Sequence, residues 1–299
     1  MKKFYVELNG GLGNQMFQYA AGRAFAIRTN SELILDSWTG FFLDRQYQRE
    51  YELDSLPIIA REANFFERIP NLLNRAHSKF FKSTAQLLKS FIYGTFITET
   101  RLKYIPDITQ TLANKSAWLI GYWQSPKYFD EYADLICAEL MPLPPSDKKF
   151  LALGSILRKT ESVALGIRLY EESSDPSAHS LNGQMKTVED INNVISKLLS
   201  SQPNATFFVF CTHRFPILEQ LNLPDSTVFV THDDGYEGSI SRLWLLTQCK
   251  HHIFTNSSYY WWGAWLSKAV NKAASTPQLI FAADNFINTD GLDASWNKF

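Results

Sequence analysis

The chain has 299 residues, of which 45% are hydrophobic and 20% charged, and its formal net charge is -1. This composition excludes disordered and fibrous proteins, and the near-neutral charge gives no basic footprint for binding a nucleic-acid backbone, so no nucleic-acid partner is expected. The length suffices for one large domain or for two of about 150 residues, each able to bury a core, and two are favoured.

The opening "FYVEL" alternates as a strand does, and "NGGLGNQMFQYAAGRAFA" follows with Gly10, Gly11 and Gly13, then Asn14-Gln15, then small residues at helical spacing. A helix is expected from Asn14 to about Arg28 and "ELILD" reads as the next strand, so the chain opens with a βαβ unit. From about Tyr47 to Ser116 the pattern is harder to read, with aromatic clusters such as "NFFERI" and "KFFKS" on expected helices. The segment "MPLPPSDKK" then interrupts with three prolines and offers Ser146 or Asp147 as the cap of another helix. Beyond it "SVALGIRL", "TFFVFCT", "STVFVT", "HHIFTN" and "QLIFA" read as buried strands, with helix-length stretches such as "VEDINNVISKLL" and "SRLWLLTQC" among them. Strands alternating with helices predict parallel sheets wound on both faces, with ligands at the carboxyl ends of the strands. The expected fold is α/β, two Rossmann-like domains facing a cleft, divided as 1–145 and 146–299.

The 22 Phe, 13 Tyr and 8 Trp are chiefly core material, although aromatic faces also pack on sugars. Cys137, Cys211 and Cys249 are far apart and form neither a CxxC pair nor a zinc-like spacing with histidine, so neither a disulfide framework nor a structural metal is expected. No stretch approaches the roughly 18 apolar residues of a membrane span, and the short apolar run after Met1-Lys2-Lys3 does not make a signal peptide. A reducing cytoplasm is the expected location, with a peripheral position at the inner membrane left open.

The glycine loop admits three readings. Gly11-Leu12-Gly13 between a strand and a helix resembles a dinucleotide fingerprint with Asp36 as the ribose acid, but Met16 stands where the third glycine belongs. Glycines that only make a turn and let a helix lie close to a sheet explain the shape and leave Asn14-Gln15 unexplained. A helix N-terminus beside a glycine turn also presents backbone N–H groups suited to an anion or a sugar hydroxyl.

With three later stretches the loop resembles the bacterial α-1,2-fucosyltransferases of glycosyltransferase family 11. The matching pieces are "GGLGNQMFQYAAGRA" at 10–24, "GYWQSPKYF" at 121–129, "CKHHIFTNSSYYWWGAWL" at 249–266 and, more weakly, "DNFINTDGLDASW" near the C-terminus. The resemblance implies a GT-B-like architecture with the acceptor on the N-terminal domain and the sugar nucleotide on the C-terminal one, the C-terminal tail being free to cross back. It implies inverting transfer of L-fucose from GDP-fucose to the 2-hydroxyl of a galactose in a bacterial surface glycan, such as a lipid-linked O-antigen, with no metal and no cofactor.

A departing diphosphate needs its charge neutralised by a divalent ion or by cationic side chains and backbone donors. Asp233-Asp234 are adjacent rather than spaced as Asp-x-Asp, in the turn-like "THDDGYEG", and read as a solvated loop. Arg168, ending "SVALGIRL", offers instead a planar fork matched to phosphate oxygens. Asn256, Ser257 and Ser258 are complementary donors, and equally could be a plain helix cap. Gly11, Gly13 and Gln15 complete the expected donor-binding set, and Asn14 is expected at the reaction centre. Candidates for the general base are Glu171, Glu172, Asp175 and His179, with Glu171 favoured, against a flexible acidic loop with no catalytic role.

The family hallmark His-x-Arg-Arg-x-Asp falls on Gly166-Ile167-Arg168-Leu169-Tyr170-Glu171, where only the first Arg survives. Arg242 replaces an acid before the Cys-Lys pair and Thr212-His213 an acidic pair after a strand. A carboxylate pairs with guanine N–H donors and an arginine with acceptors, so the donor base stays open. The other readings are the same fold with another nucleotide sugar, a non-catalytic carbohydrate or nucleotide binder, and an NAD(P)- or flavin-dependent oxidoreductase.

Overall fold

The computed structural model describes residues 2–42, 44–75, 95–100, 102–106, 108, 116–170, 173–272 and 277–299. The "KFFKS" cluster and the Glu171-Glu172 pair lie outside them. The chain divides into two compact units, Met1–Leu140 and Met141–Phe299. The division falls at the head of the proline segment, whose last proline, Pro145, is the boundary expected from the sequence.

The first unit is built on a parallel sheet of order β3-β2-β1-β5-β4, comprising β1 (Lys2–Glu7), β2 (Ser31–Asp36), β3 (Arg61–Glu62), β4 (Thr95–Thr98) and β5 (Ala117–Ile120). Four successive β1 residues, Phe4 to Glu7, are buried, as a strand covered on both faces requires. Helix α1 (Leu12–Arg28) lies so close to the sheet that a Cβ at Gly22 would stand 2.4 Å from Val6 Cγ2. On another face Tyr5 stacks on Trp118 at 4.5 Å, and Trp118 on Phe96 at 5.7 Å. There α3 (Phe65–Arg75) sends Glu67 to accept from Tyr5 Oη. The short α2 (Thr39–Phe42) follows β2, and α4 (Ala133–Leu140) closes the unit with Glu139 bound to Arg23 and Tyr19 of α1.

The second unit carries a parallel sheet of order β11-β10-β9-β6-β7-β8, with β6 (Ser162–Gly166), β7 (Thr206–Phe210), β8 (Val228–Val230), β9 (His251–Phe254), β10 (Ile280–Ala282) and β11 (Asn297–Lys298). Of the two expected caps Asp147 is the one used, accepting from Lys149 N at 2.8 Å to start α5 (Lys148–Lys159). A reciprocal Thr187–Asp190 capping box starts α6 (Val188–Ser201). Ile191, Ile195 and Leu198 of α6 join Val163, Leu165, Phe207, Val209 and Ile253 in one core. Helices α7 (Ser239–Gln248) and α8 (Ser258–Val270) bring Trp244, Trp261 and Trp262 into the interior, and Tyr260 of α8 lies against β6. The chain is thus an α/β, GT-B-like protein of two Rossmann-like units.

Candidate active site

In the first unit the carboxyl ends of β1, β4 and β5 border a cavity of about 340 Å3. The turn after β1 needs a left-handed backbone at Gly10 (φ +73), where a Cβ would also stand 2.6 Å from Asn14 Nδ2. Gly11 follows as the extended N-cap of α1 and supplies no side-chain cap. A Cβ there would meet no described atom within 4 Å, so the fold itself does not ask for glycine at 11. Gly13 is buried in the first turn of α1.

Asn14 is half-buried, and its Oδ1 accepts from Gln124 Nε2 at 2.7 Å. Gln15 is fully buried and differs from its expected donor-binding role. Its Nε2 donates to Gly10 O (3.0 Å) and Glu50 O (2.8 Å), and its Oε1 accepts from Glu52 N (3.0 Å). All three bonds go to backbone, so Gln15 holds the glycine turn against residues 50–52. Gln18, one turn on, donates to Gly121 O (3.0 Å) and accepts from Asn9 N (3.1 Å). Two of the stretches that carry the family resemblance, 10–24 and 121–129, are therefore bonded to each other at this sheet edge.

The ribose-acid reading of Asp36 is corrected in the same place. Its Oδ1 accepts from Trp38 N (3.3 Å) and Thr39 N (3.0 Å), its Oδ2 accepts from Asn71 Nδ2 (2.8 Å), and the residue is fully buried. Asn71 Nδ2 donates to Glu7 Oε2 as well (2.6 Å), and Glu7 pairs with Arg75.

Glu99, just past β4, lines the same cavity, and the sequence pattern does not single it out. Its Oε2 accepts from Tyr122 N (2.8 Å) and Trp123 N (3.1 Å), whereas its buried Oε1 has no hydrogen-bond partner among the described residues. Burial pushes its carboxyl pKa above the ordinary value, against the pull of those two N–H groups. The available signal was an acid directly after the strand-like "FIT".

In the second unit Arg168 stands just beyond the carboxyl end of β6, its backbone N–H donating to Thr255 Oγ1 at 2.8 Å. Its guanidinium carbon lies 4.9 Å from the centroid of Tyr170, whose ring stacks on His179 at 4.3 Å and 5°. Tyr170 adopts φ +53 and donates its hydroxyl to Asn256 O, while Asn256 Nδ2 donates to His179 O. Burial, then the Arg168 charge, holds the His179 imidazole below its ordinary pKa against the opposing Asp175. Ser257 is the N-cap of α8 by position but forms no side-chain cap, and Ser258 opens the helix. The structure thus brings Arg168, His179, Asn256, Ser257 and Ser258 into one neighbourhood, while exposed Asp175 is bonded to Ser177 Oγ at 2.6 Å.

Among the described residues, the departures from the family pattern at 166, 169, 242 and 213 have local structural counterparts. A Cβ at Gly166 would stand 2.5 Å from the Tyr260 ring, and Leu169 packs on the α6 side of the core. Buried Arg242 donates to Cys211 O (2.6 Å) and Val230 O (3.2 Å), tying the ends of β7 and β8, and touches His232 Nε2 at 3.1 Å. His213 and Arg214 N hold Asp233, while Arg214 and Thr231 hold Asp234. Among the described residues no group of three or more His, Cys, Asp or Glu is placed to hold a metal ion.

A parallel sheet whose edge offers an arginine beside the start of a helix is the construction on which doubly wound proteins hold phosphate-bearing ligands. The chain belongs to glycosyl transferase family 11, whose model matches residues 97–296, and is a glycosyltransferase. It is 30% identical to the alpha-1,2-colitosyltransferase of Escherichia coli, over 97% of either chain. It is 25% identical to the O-antigen biosynthesis glycosyltransferase WbnK of Escherichia coli, over 94% of this chain and 96% of that one. Among solved structures the fucosyltransferase NodZ from Bradyrhizobium is similar at a TM-score of 0.48 and 14% identity, covering 88% of this chain and 91% of that one. Among the described residues no helix is long and apolar enough to cross a membrane.

Proposed function

We propose that the protein transfers L-fucose, with inversion, from GDP-fucose to the 2-hydroxyl of a galactose residue in a bacterial surface glycan, without a metal ion. The observation that carries the donor side is Arg168 beside the α8 N-terminus, where Ser257 supplies no side-chain cap. A guanidinium fork and helix N–H groups together can take the charge of a departing diphosphate. Asn14 and the open space at Gly11 belong to the same reading, as a place where a sugar comes close to backbone. A colitosyl donor is the second reading, supported by the 30% identical relative that carries that name. WbnK's name supports an O-antigen as the glycan.

The test is a panel of nucleotide sugars, with and without simple β-galactosides, reading released nucleoside diphosphate. Because Arg242 stands where the family has an acid, the panel includes UDP- and ADP-sugars. Galactoside-dependent release from GDP-fucose that persists in EDTA is expected. Release only from another donor, or only after manganese or magnesium is restored, overturns the corresponding part. Nucleotide binding without turnover of any donor identifies a non-catalytic binder.

A further inference from the structure

We propose that His179 is a positioning residue for the donor diphosphate: its imidazole, stacked on the Tyr170 ring, keeps that ring in place as the surface against which the Arg168 guanidinium is held. This rests on the reading of Arg168 as a diphosphate ligand, and it gives His179 a task other than that of general base.

All of the groups involved belong to the second unit. Its strand order reverses between β6 and β9, and the carboxyl ends at such a reversal are where a doubly wound sheet takes its ligand. Arg168 and Tyr170 follow β6, and Asn256 follows β9. His179 comes from the segment 173–187, which is fastened beyond β10 by Leu181 N donating to Asn285 O (2.9 Å) and by the Lys186–Asp284 pair (2.8 Å). Asn256 ties the two ring-bearing residues together, because its carbonyl oxygen accepts from Tyr170 Oη while its Nδ2 donates to His179 O.

Tyr170 is the unusual member. At φ +53 it occupies a sparsely populated backbone region, a conformation kept only where the surroundings over-determine it, and such positions cluster at ligand sites. The imidazole and phenol planes are 5° apart with centroids at 4.3 Å, and the guanidinium carbon of Arg168 lies 4.9 Å from the same phenol centroid. An arginine on its long stem loses less freedom on meeting a diphosphate when an aromatic face already holds its fork. The imidazole itself is poorly suited to proton transfer. Its face is taken up by Tyr170, and its Nε2 lies 3.1 Å from Ser173 Oγ. Among the described residues the charged groups acting on it are Arg168 and Asp175, and burial, then the Arg168 charge, outweighs Asp175 and holds it below its ordinary pKa. A base so weakened takes a proton from a sugar hydroxyl less readily, whereas a neutral ring still stacks.

Binding of GDP, UDP and ADP, which share the diphosphate, is measured by titration calorimetry on the full chain. His179→Ala is expected to weaken whichever of them binds by about tenfold, the order of one hydrogen bond to a charged group. His179→Phe, which restores a stacking ring without a nitrogen, is expected to recover most of that loss in binding and in turnover. Because the effect runs through Arg168, His179→Ala is expected to add less than about twofold in an Arg168→Lys background, since residues that act as a unit are not additive. A His179→Phe protein that binds and turns over as poorly as His179→Ala overturns the assignment and returns the nitrogen to proton transfer. So does a His179→Ala loss that persists in full in the Arg168→Lys background, or a His179→Ala protein that binds as wild type does. A wild-type protein that binds none of the three nucleotides overturns the donor-site reading itself, and this proposal with it.

Discussion

Arg168 is fixed at its backbone by Thr255 and at its guanidinium by the face of Tyr170, so its fork is presented in a defined orientation. Arg168→Lys replaces two aligned donors with a single point charge, and kcat is expected to fall by about tenfold or more with the melting temperature unchanged. Unchanged kinetics would put Arg168 outside the donor site. Asn14 is tested similarly: Gly11, not Asn14, is the N-cap of α1, so Asn14→Ala removes no helix cap. It strips Gln124 of its partner, which costs about 1 kcal/mol in stability. A turnover loss of tenfold or more is expected in addition, and a stability loss alone would remove Asn14 from the reaction centre. The place of Arg168 just past the end of β6 was legible from sequence because a charge at the end of a buried strand has little choice of surroundings. Gln15 was not, because its neighbours at 50–52 come from a stretch without clear periodicity, and nothing local tells an amide that braces a loop from one that meets a substrate.

Among the elements, α8 and β6 explain each other. Gly166 ends β6 where the Tyr260 ring covers it, and Tyr260 Oη donates to Phe210 O at 2.8 Å, so α8 is pinned against the middle of the sheet. A side chain at 166 would have to displace a buried aromatic ring. Gly166→Ala is expected to destabilise by about 1–3 kcal/mol, read as a lower melting temperature, and Tyr260→Ala in the same chain is expected to relieve the overpacking. A neutral Gly166→Ala would mean that the ring moves freely. Helical spacing made α1 readable, and continuous apolar runs did so for β6 to β10. These signals failed for β3, which has two residues, and for β4, none of whose four residues is fully buried, and they left β5 and β11 unread as well. For that reason Glu99, which depends on β4 for its place, could not be read from sequence as lining a cavity.

At the scale of the whole molecule the two units differ in how they should meet acid. His179, His232, His251 and His252 are all in the second unit, and burial is the first cause holding each below the ordinary imidazole pKa. His252 is the extreme case, buried and pushed down to about 3. A base whose folded pKa is depressed gives stability that is fully present above its unfolded pKa, about 6.5, and lost as pH falls toward the folded value. From pH 7.5 to 5.5 His252 alone is then expected to withdraw about 1.4 kcal/mol, because the unfolded chain takes up a proton that the folded one refuses. The control is His252→Leu, which removes the titration and a buried Nε2 without a partner among the described residues, while Cys249 O keeps the bond from Asn271 Nδ2 at 2.9 Å. Melting temperatures of both proteins across that interval decide the matter. The wild-type curve is expected to fall more steeply than that of the variant. Parallel curves would mean that His252 is already protonated in the fold, with water or a rearranged neighbour reaching the ring.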